Sequence, residues 1–505
     1  MRSPLLPPPG LPADRPTVTA LFAAIGADPL LPELGTWTVL DTPDGRLRAS
    51  AHVLIQRGKV LALHGRGSLD QTAAMVSQPW SGSELSRFVA DWPAGPVREA
   101  VAPLAKARAV LPLLTCRIER FVGHRRDGNG KTVARVEVWL VTPQGGERRI
   151  WAVVDGLRGY AREFRGTVGL VLGRGWRESG EDPLALLADE AAGPMTNNDL
   201  PDFPDDDAQA GPALRDCLGR TLERLAVLEE GVVEDIDTEF LHQHRVTLRR
   251  VRSLTAQFAT VFSPEDGQRI RDLLAGWSRC SNTVRDLDVW LQMREDHTAL
   301  VPARLRPGLE PLFEELRRDR AAAHKALAER LASTAHRKER AELATLVKKA
   351  DSGPDGELPL VELARRRTWR TYRRAAREGA LIDVLTPAEA VHQVRIRCKK
   401  LRYLLDSCGA ATAPDDHDQL RAQLRGIQGV LGEFNDASVQ SEALLARVEA
   451  HQQQPKTLLA VGALLGALDR HRHELNDRLL LGLADLAAPA TRLHYRSLFR
   501  DGGEG

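Results

Sequence analysis

Apolar and polar positions alternate with a period of two in the first third of the chain and recur with helical spacing through most of the rest. Residues 131–142 place Ala134, Val136, Val138 and Leu140 on one face and Arg135, Glu137 and Trp139 on the other, which predicts a strand. Residues 36–42, 46–56 and 59–64 read as further strands, separated by a Pro-Asp-Gly turn and an Arg-Gly turn. Helical spacing marks 17–25 and 83–107, the latter broken near Pro93-Ala94-Gly95-Pro96. Beyond 212 the pattern is helical almost throughout, punctuated mainly by Asp351-Ser352-Gly353-Pro354-Asp355-Gly356. The fold class predicted is α+β and multidomain. A β-rich domain covers 1–180 and an acidic Pro/Gly-rich linker 181–212. An all-α domain of two helical bundles follows over 213–505, with halves at about 213–350 and 359–500.

The helical part repeats itself. His242, Gln243, Arg245, Arg249-Arg250 and Arg252 recur as His392, Gln393, Arg395, Lys399-Lys400 and Arg402, each 150 residues later. Downstream, Arg285-Asp286 and Val289 are answered at the same offset by Asn435-Asp436 and Val439. An unchanged register across two separated motifs marks a duplicated folding unit. At about 100° per residue, His242, Arg245, Arg249 and Arg252 fall within roughly a quarter-turn of one helix. Beside them run Leu248, Val251, Leu254 and Phe258, and in the second copy Cys398, Leu401 and Leu404. The cations therefore line the edge of a buried face, a costly place for like charges unless an anion neutralises them. If the halves pack about a pseudo-two-fold axis, both stripes face one cleft suited to an extended polyanion.

Composition makes any such site local. The chain carries 70 Lys+Arg against 68 Asp+Glu, so no bulk attraction to nucleic acid or membrane operates. Residues 364–402 hold twelve Lys/Arg and three acids, whereas 199–207 hold five Asp and no base. Five scattered cysteines without a Cys-x-x-Cys pair fit neither a disulfide framework nor a zinc site, so no metal or other cofactor is expected. No secretory h-region opens the chain and no stretch reaches membrane-spanning length, so the expectation is a soluble cytoplasmic protein with no membrane partner. Aromatics are only 5%, with Tyr403 the candidate stacking residue on the motif helices, which argues against nucleic acid. The oligomeric state is not legible.

The paired His-Gln-x-Arg-x-x-x-basic-basic-x-Arg helices, each followed by Arg-Asp or Asn-Asp, resemble the CHAD family (conserved histidine α-helical domain) over about 205–505. The resemblance implies two four-helix bundles related by pseudo-symmetry, with a basic central surface that binds inorganic polyphosphate and a role at polyphosphate granules. The residues implied are His242, Arg245, Arg249, Arg250, Arg252, His392, Arg395, Lys399, Lys400 and Arg402. A second tier comprises Arg285, Asp286, Asp436 and the α-helical stripe Arg366, Arg370, Arg373 and Arg377. The two histidines suit either a phosphate contact or a hydrogen bond to a neighbouring helix. Towards the N-terminus, Val39-Leu40-Asp41-Thr42-Pro43-Asp44-Gly45-Arg46-Leu47 and Leu157-Arg158-Gly159-Tyr160 resemble elements of the CYTH, or triphosphate-tunnel, fold. That family opens on a Glu-x-Glu-x-Lys strand, which is missing here: the acids before Asp41 are Asp14, Asp28 and Glu33. Where it has Arg-x-Arg, this chain reads Ile55-Gln56-Arg57. Two-metal phosphoryl chemistry needs converging carboxylates. The expectation is thus a degenerate, non-catalytic tunnel-like domain, with Arg46, Arg48 and His52 alternating on one strand face. The competing readings are a metal-dependent triphosphate or polyphosphate hydrolase, a nucleic-acid binder and a protein scaffold.

Overall fold

The computed structural model describes residues 2–65, 75–80, 85–180, 183–196, 208–407, 414–448 and 454–500. The chain divides into two compact units, Met1–Asn197 and Asn198–Gly505.

In the first unit the strands are β1 (Arg2–Leu6), β2 (Ala27–Pro29), β3 (Glu33–Asp41), β4 (His52–Arg57), β5 (Val60–Gly65), β6 (Val76–Pro79), β7 (Leu111–Arg126), β8 (Thr132–Pro143), β9 (Arg149–Gly156) and β10 (Arg177–Glu178). The helices are α1 (Arg15–Ile25), α2 (Arg46–Ala49), α3 (Pro96–Ala105), α4 (Ala161–Leu172) and α5 (Pro183–Thr196). The strands form one antiparallel sheet in the order β10-β1-β9-β8-β7-β3-β4-β5-β6, with β2 paired to β7. Alternation along β8 serves two cores at once. Val136, Val138 and Leu140 pack with Leu21 and Phe22 of α1 and Val171 of α4, while Trp139 packs with Trp37, Trp151 and the α5 residues Leu184, Leu187 and Ala188.

Three expectations are corrected in this unit. The strand predicted at 46–56 is split: α2 occupies 46–49 and β4 starts only at His52. Side-chain hydrogen bonds override the alternation. Asp41 accepts from the backbone N–H of Thr42 (2.7 Å) and Leu47 (3.0 Å), and the Thr42 hydroxyl accepts from Arg46 N–H (2.9 Å), which starts a helical turn after Gly45 at φ 70°. Arg46 and Arg48 are therefore not strand neighbours of His52; they pair with Asp44 (2.7 Å) and Asp41 (2.7 Å). The predicted 83–107 helix is reduced to a single 3-10 turn at Val89–Asp91 and α3. Residues 183–196 of the expected linker are the helix α5, held to the sheet by its apolar face and by Arg48 on Asp189 (3.1 Å). The acidic run at 201–207 lies outside the described residues.

The second unit is helical: α6 (Ala210–Val233), α7 (Thr238–Gln257), α8 (Pro264–Cys280), α9 (Asn282–Gln292), α10 (Arg294–Leu300), α11 (Glu310–Ala332), α12 (Thr334–Lys349), α13 (Leu360–Gly379), α14 (Ala388–Ser407), α15 (Pro414–Arg447), α16 (Pro455–Ala487) and α17 (Pro489–Phe499). The offset seen in the sequence is built into these bounds. Adding 150 to the limits of α7 gives 388–407, which is α14, and Pro264 and Pro414 open α8 and α15. One difference matters later. The first copy breaks at Ser281 into α8 and α9, whereas at the matching position Leu431 is buried in a continuous α15.

Helix α13 ties the halves together. Its Leu360, Leu363 and Ala364 join the core of α6, α7, α8 and α12, and its Tyr372 and Ala375 join that of α14–α17. A third cluster joins α9 and α11 to α15 and α16 through Trp290, Phe313, Leu444 and Leu464. Leu404 of α14 packs into the first core beside Leu248, Val251 and Leu254 of α7. The two motif helices are thereby brought together, and the Gln257 amide donates to Lys400 O at 3.4 Å. Among the described residues, no helix is long and apolar enough to cross a membrane.

Candidate anion-binding face

Asp237 starts α7 by accepting from Glu239 N–H (2.7 Å), and the absence of Gly and Pro lets the helix run unbroken to Gln257. Its apolar face is buried, leaving His242 and Arg245 half-buried at the rim and Arg249 and Arg252 exposed. The second copy repeats the arrangement with His392, Arg395, Lys399 and Arg402, all half-buried on α14.

The two copies differ in what holds their cations. Arg245 Nη1 donates to Ser281 Oγ (2.9 Å), Asn282 Oδ1 (2.7 Å) and Ser278 O (3.3 Å), filling the break between α8 and α9. Arg252 Nη1 donates to Ser278 Oγ at 2.9 Å. On α14, among the described residues, Arg395 has only Asp436 at 3.8 Å as an ion-pair partner, and its Nε is buried without a hydrogen bond. Arg402 Nε is likewise buried and unbonded, 3.9 Å from Asp406, beside which Arg421 Nε also lies at 2.9 Å. His392 Nδ1 sits 2.5 Å from Asn435 Oδ1, so this histidine bonds a neighbouring helix.

Electrostatics show the two stripes converging. Burial lowers the Arg245 pKa, and Arg249, Arg285 and Arg252 lower it further. Burial does the same to Arg395, where the repelling cation is Arg249 of the other half. Lys399 is the extreme case. Burial, then repulsion from Arg395, Arg249 and Arg402, brings its ammonium down to about 7. Desolvation and the nearby Asp436 carboxylate push Asp286 up despite Arg245 and Arg285. Charges separated by 150 residues in sequence thus act on one another across the α7–α14 crossing.

The remaining sequence candidates lie off this stripe. Arg250 is half-buried on its flank, and Lys400 is lowered by burial and by Arg397 and Arg374. Arg366, Arg370, Arg373 and Arg377 are on the exposed side of α13, in a separate depression with Phe499 and Arg500. Sequence reasoning missed Ser278, Ser281 and Asn282 as the seat of Arg245. It also missed Glu378, which takes Arg397 at 3.0 Å, and the buried Glu229 behind α7. Glu229 meets His336 at 3.0 Å, Arg340 at 3.1 Å and His244 at 3.5 Å. The mismatch of His244 with Val394 was the available signal for that network.

In the first unit, Arg120 is buried against Glu137 and bonded to Glu33 (2.9 Å), and Arg57 lies over the Trp37 ring at 3.9 Å. Among the described residues, no group of three or more His, Cys, Asp or Glu is placed to hold a metal ion.

Residues 216–445 match the family model of the CHAD domain. This segment is a CHAD domain. Two curated relatives, both uncharacterized proteins of Mycobacterium tuberculosis (strains CDC 1551 / Oshkosh and ATCC 25618 / H37Rv), are 26% identical over 263 residues, 51% of this chain and 49% of each relative. The chain spans about half the length of the curated relatives it matches. Among solved structures, the CHAD domain from the plant Ricinus communis is 25% identical with a TM-score of 0.44, covering 55% of this chain and 93% of that one. PptA from Streptomyces chartreusis is 16% identical with a TM-score of 0.45, covering 55% and 99%. The CHAD match includes most of α6, all of α7 to α14 and most of α15 with its Asn435-Asp436 element, so both basic stripes belong to the CHAD domain.

Proposed function

We propose that the CHAD domain binds inorganic polyphosphate, without turning it over, along the basic face shared by α7 and α14. The observation that carries this reading is the convergence of Arg249, Arg395 and Lys399 from both halves on one face, where burial first and repulsion from Arg395, Arg249 and Arg402 second bring Lys399 down to about 7. Such a face is stabilised by a ligand that brings negative charge and little else. Polyphosphate carries about one charge per phosphate, and cations three and four residues apart recur every ~5 Å along a helix.

Arg249, Arg395, Lys399, Arg252 and Arg402 are the principal ligands in this reading. The arginines contribute planar forks for paired phosphate oxygens, and Lys399 contributes a point charge that is regained on binding. Arg245 is held by the α8–α9 junction and lends its field more than its donors. His242 and His392 border the face, Arg250 and Lys400 flank it, and Asp286, Asp436 and Arg285 orient neighbouring side chains. Tyr403 is 4% exposed, so it offers no platform for a base, which favours a polyanion without bases over nucleic acid. The first unit is read as a degenerate CYTH-like domain without catalysis: its Asp-Thr-Pro-Asp segment makes a turn, and Arg46 and Arg48 are spent on carboxylates. Association with polyphosphate granules follows from the same binding.

Titration of fluorescent long-chain polyphosphate at ~150 mM salt tests this. Wild type should bind tightly, and Arg249→Glu/Arg395→Glu, folded by circular dichroism, should lose at least about a hundredfold. Equal binding by both would remove the ligand from this face. Preference for single-stranded RNA at equal salt would favour the nucleic-acid reading, and Mg²⁺- or Mn²⁺-dependent phosphate release would contradict the non-catalytic one.

A further inference from the structure

Helix α13 carries a second set of cations. Arg366, Arg370, Arg373, Arg374 and Arg377 line a depression of about 550 Å³, and Arg500, just past the end of α17, closes it from the facing element. Among the described residues, two carboxylates reach the α13 arginines, both at the ends of the row. Glu362 pairs with Arg366, and Glu378 lies 3.9 Å from Arg374 while also holding Arg397 at 3.0 Å. Among the described residues, Arg370, Arg373 and Arg377 have no ion pair. A solvated helix face would carry such charges on a convex surface with i, i+4 acids between them. Here they surround a hollow made by two elements.

The floor of that hollow is stiff. Trp369 stacks on Tyr372 (centroids 5.8 Å apart, 25°), Tyr372 on Tyr495 (3.9 Å, 8°), and Tyr495 meets Phe499 at 5.9 Å. The Tyr372 hydroxyl donates to Leu486 O at 3.0 Å, fixing the column to α16. Arg373 lies over the Trp369 ring at 5.9 Å. The helix that carries the arginines is thus braced from behind by a packed aromatic column, whose ends Trp369 and Phe499 line the hollow. Three carboxylate-free guanidinium groups, each able to grip two oxygens, match several linked phosphates better than one.

We propose that the α13 hollow is a second anion site, separate from the α7–α14 face, that takes a run of three or more linked phosphates. The same chemistry is supplied by the end of an inorganic polyphosphate chain or by a nucleoside triphosphate. The site does not depend on polyphosphate occupying the α7–α14 face.

The test is calorimetric titration of inorganic tripolyphosphate into the full chain carrying Arg249→Glu/Arg395→Glu, which silences the first face. One saturating site is expected at ~150 mM salt. Adding Arg370→Ser/Arg373→Ser/Arg377→Ser should weaken it at least about tenfold with an unchanged circular dichroism spectrum. The charge-preserving Arg370→Lys/Arg373→Lys/Arg377→Lys, in which folding is not at risk, should weaken it by a smaller factor because the forks are lost. ATP binding more tightly than tripolyphosphate would assign the nucleotide as the source; equal or weaker ATP binding would assign the inorganic chain. No tripolyphosphate binding by the first-face variant, or equal binding by the serine variant, overturns the proposal. Either result leaves long-chain binding by the wild-type α7–α14 face standing, since that is read from a different titration.

Discussion

The two motif helices carry matching charges but stand in different surroundings. On α7, Arg245 has three acceptors at the α8–α9 junction, Arg252 has Ser278, and His244 backs onto the buried Glu229. On α14 the corresponding arginines keep buried Nε groups without hydrogen bonds among the described residues, and burial, with repulsion from neighbouring arginines, brings Lys399 down to about 7. Duplication has preserved charge while dividing its use. The first half fastens Arg245 and Arg252 to neighbouring polar groups, whereas Arg395 and Arg402 of the second keep buried Nε groups that bond nothing among the described residues. The difference follows the α8–α9 junction: Ser278, Ser281 and Asn282 offer polar acceptors there, while Gln428, Leu431 and Gly432 stand at the matching positions of the continuous α15.

The largest effect expected is from cutting the anchor of the first half. Burial works against the Glu229 charge, but His244 and His336 hold its pKa down to about 2 from 4.5. Glu229→Gln should cost about 3–5 kcal/mol in denaturant unfolding, since it strands partners in a buried network, and should leave polyphosphate affinity nearly unchanged at pH 7 in the folded fraction. The sign with pH is fixed. A depressed carboxylate contributes its stability above about 4.5 and loses it as pH falls toward 2, so acid should erode wild type through that window and the variant much less. Next comes the ligand side. Arg395→Ala should weaken polyphosphate binding about tenfold or more, the worth of a charge-assisted hydrogen bond, with little change in Tm. Arg245→Ala should invert that pattern, costing about 1–2 kcal/mol of stability and only a few-fold in affinity. Equal affinity losses for the two arginines would erase the division proposed between the halves.

The smallest effect is a pH profile. Free Lys399 loses its proton near pH 7, and bound phosphate raises that value. Affinity should be full below about pH 7 and decline as pH rises toward the bound-state value. Lys399→Met should flatten the slope.

Much of this was legible in the sequence. The strict 150-residue offset fixed the pairing of α7 with α14 because both segments are free of helix breakers and keep one apolar stripe. What escaped depended on contacts between distant residues or on side chains competing with the backbone. Helix α2 was hidden because Asp41 and Thr42 cap a turn inside an alternating stretch. Helix α5 was hidden because Leu184, Leu187 and Ala188 sit among Gly, Pro and Asp, and their burial needs the Trp37–Trp139–Trp151 face. The seat of Arg245 lies 36 and 37 residues downstream, at Ser281 and Asn282, and has no echo in the second copy to betray it. The lowering of Lys399 comes first from burial, which needs the tertiary packing, and in part from Arg249 of the other half, which no local window contains.

The most direct test of a shared anion face is an NMR titration of Lys399, followed through labelled lysine side chains and assigned with Lys399→Met, with and without saturating long-chain polyphosphate. The account predicts a midpoint near 7 in the free protein, moving up by about two units or more when the chain is bound. An identical midpoint in both states would contradict it, since no anion would then lie beside the cations of α14.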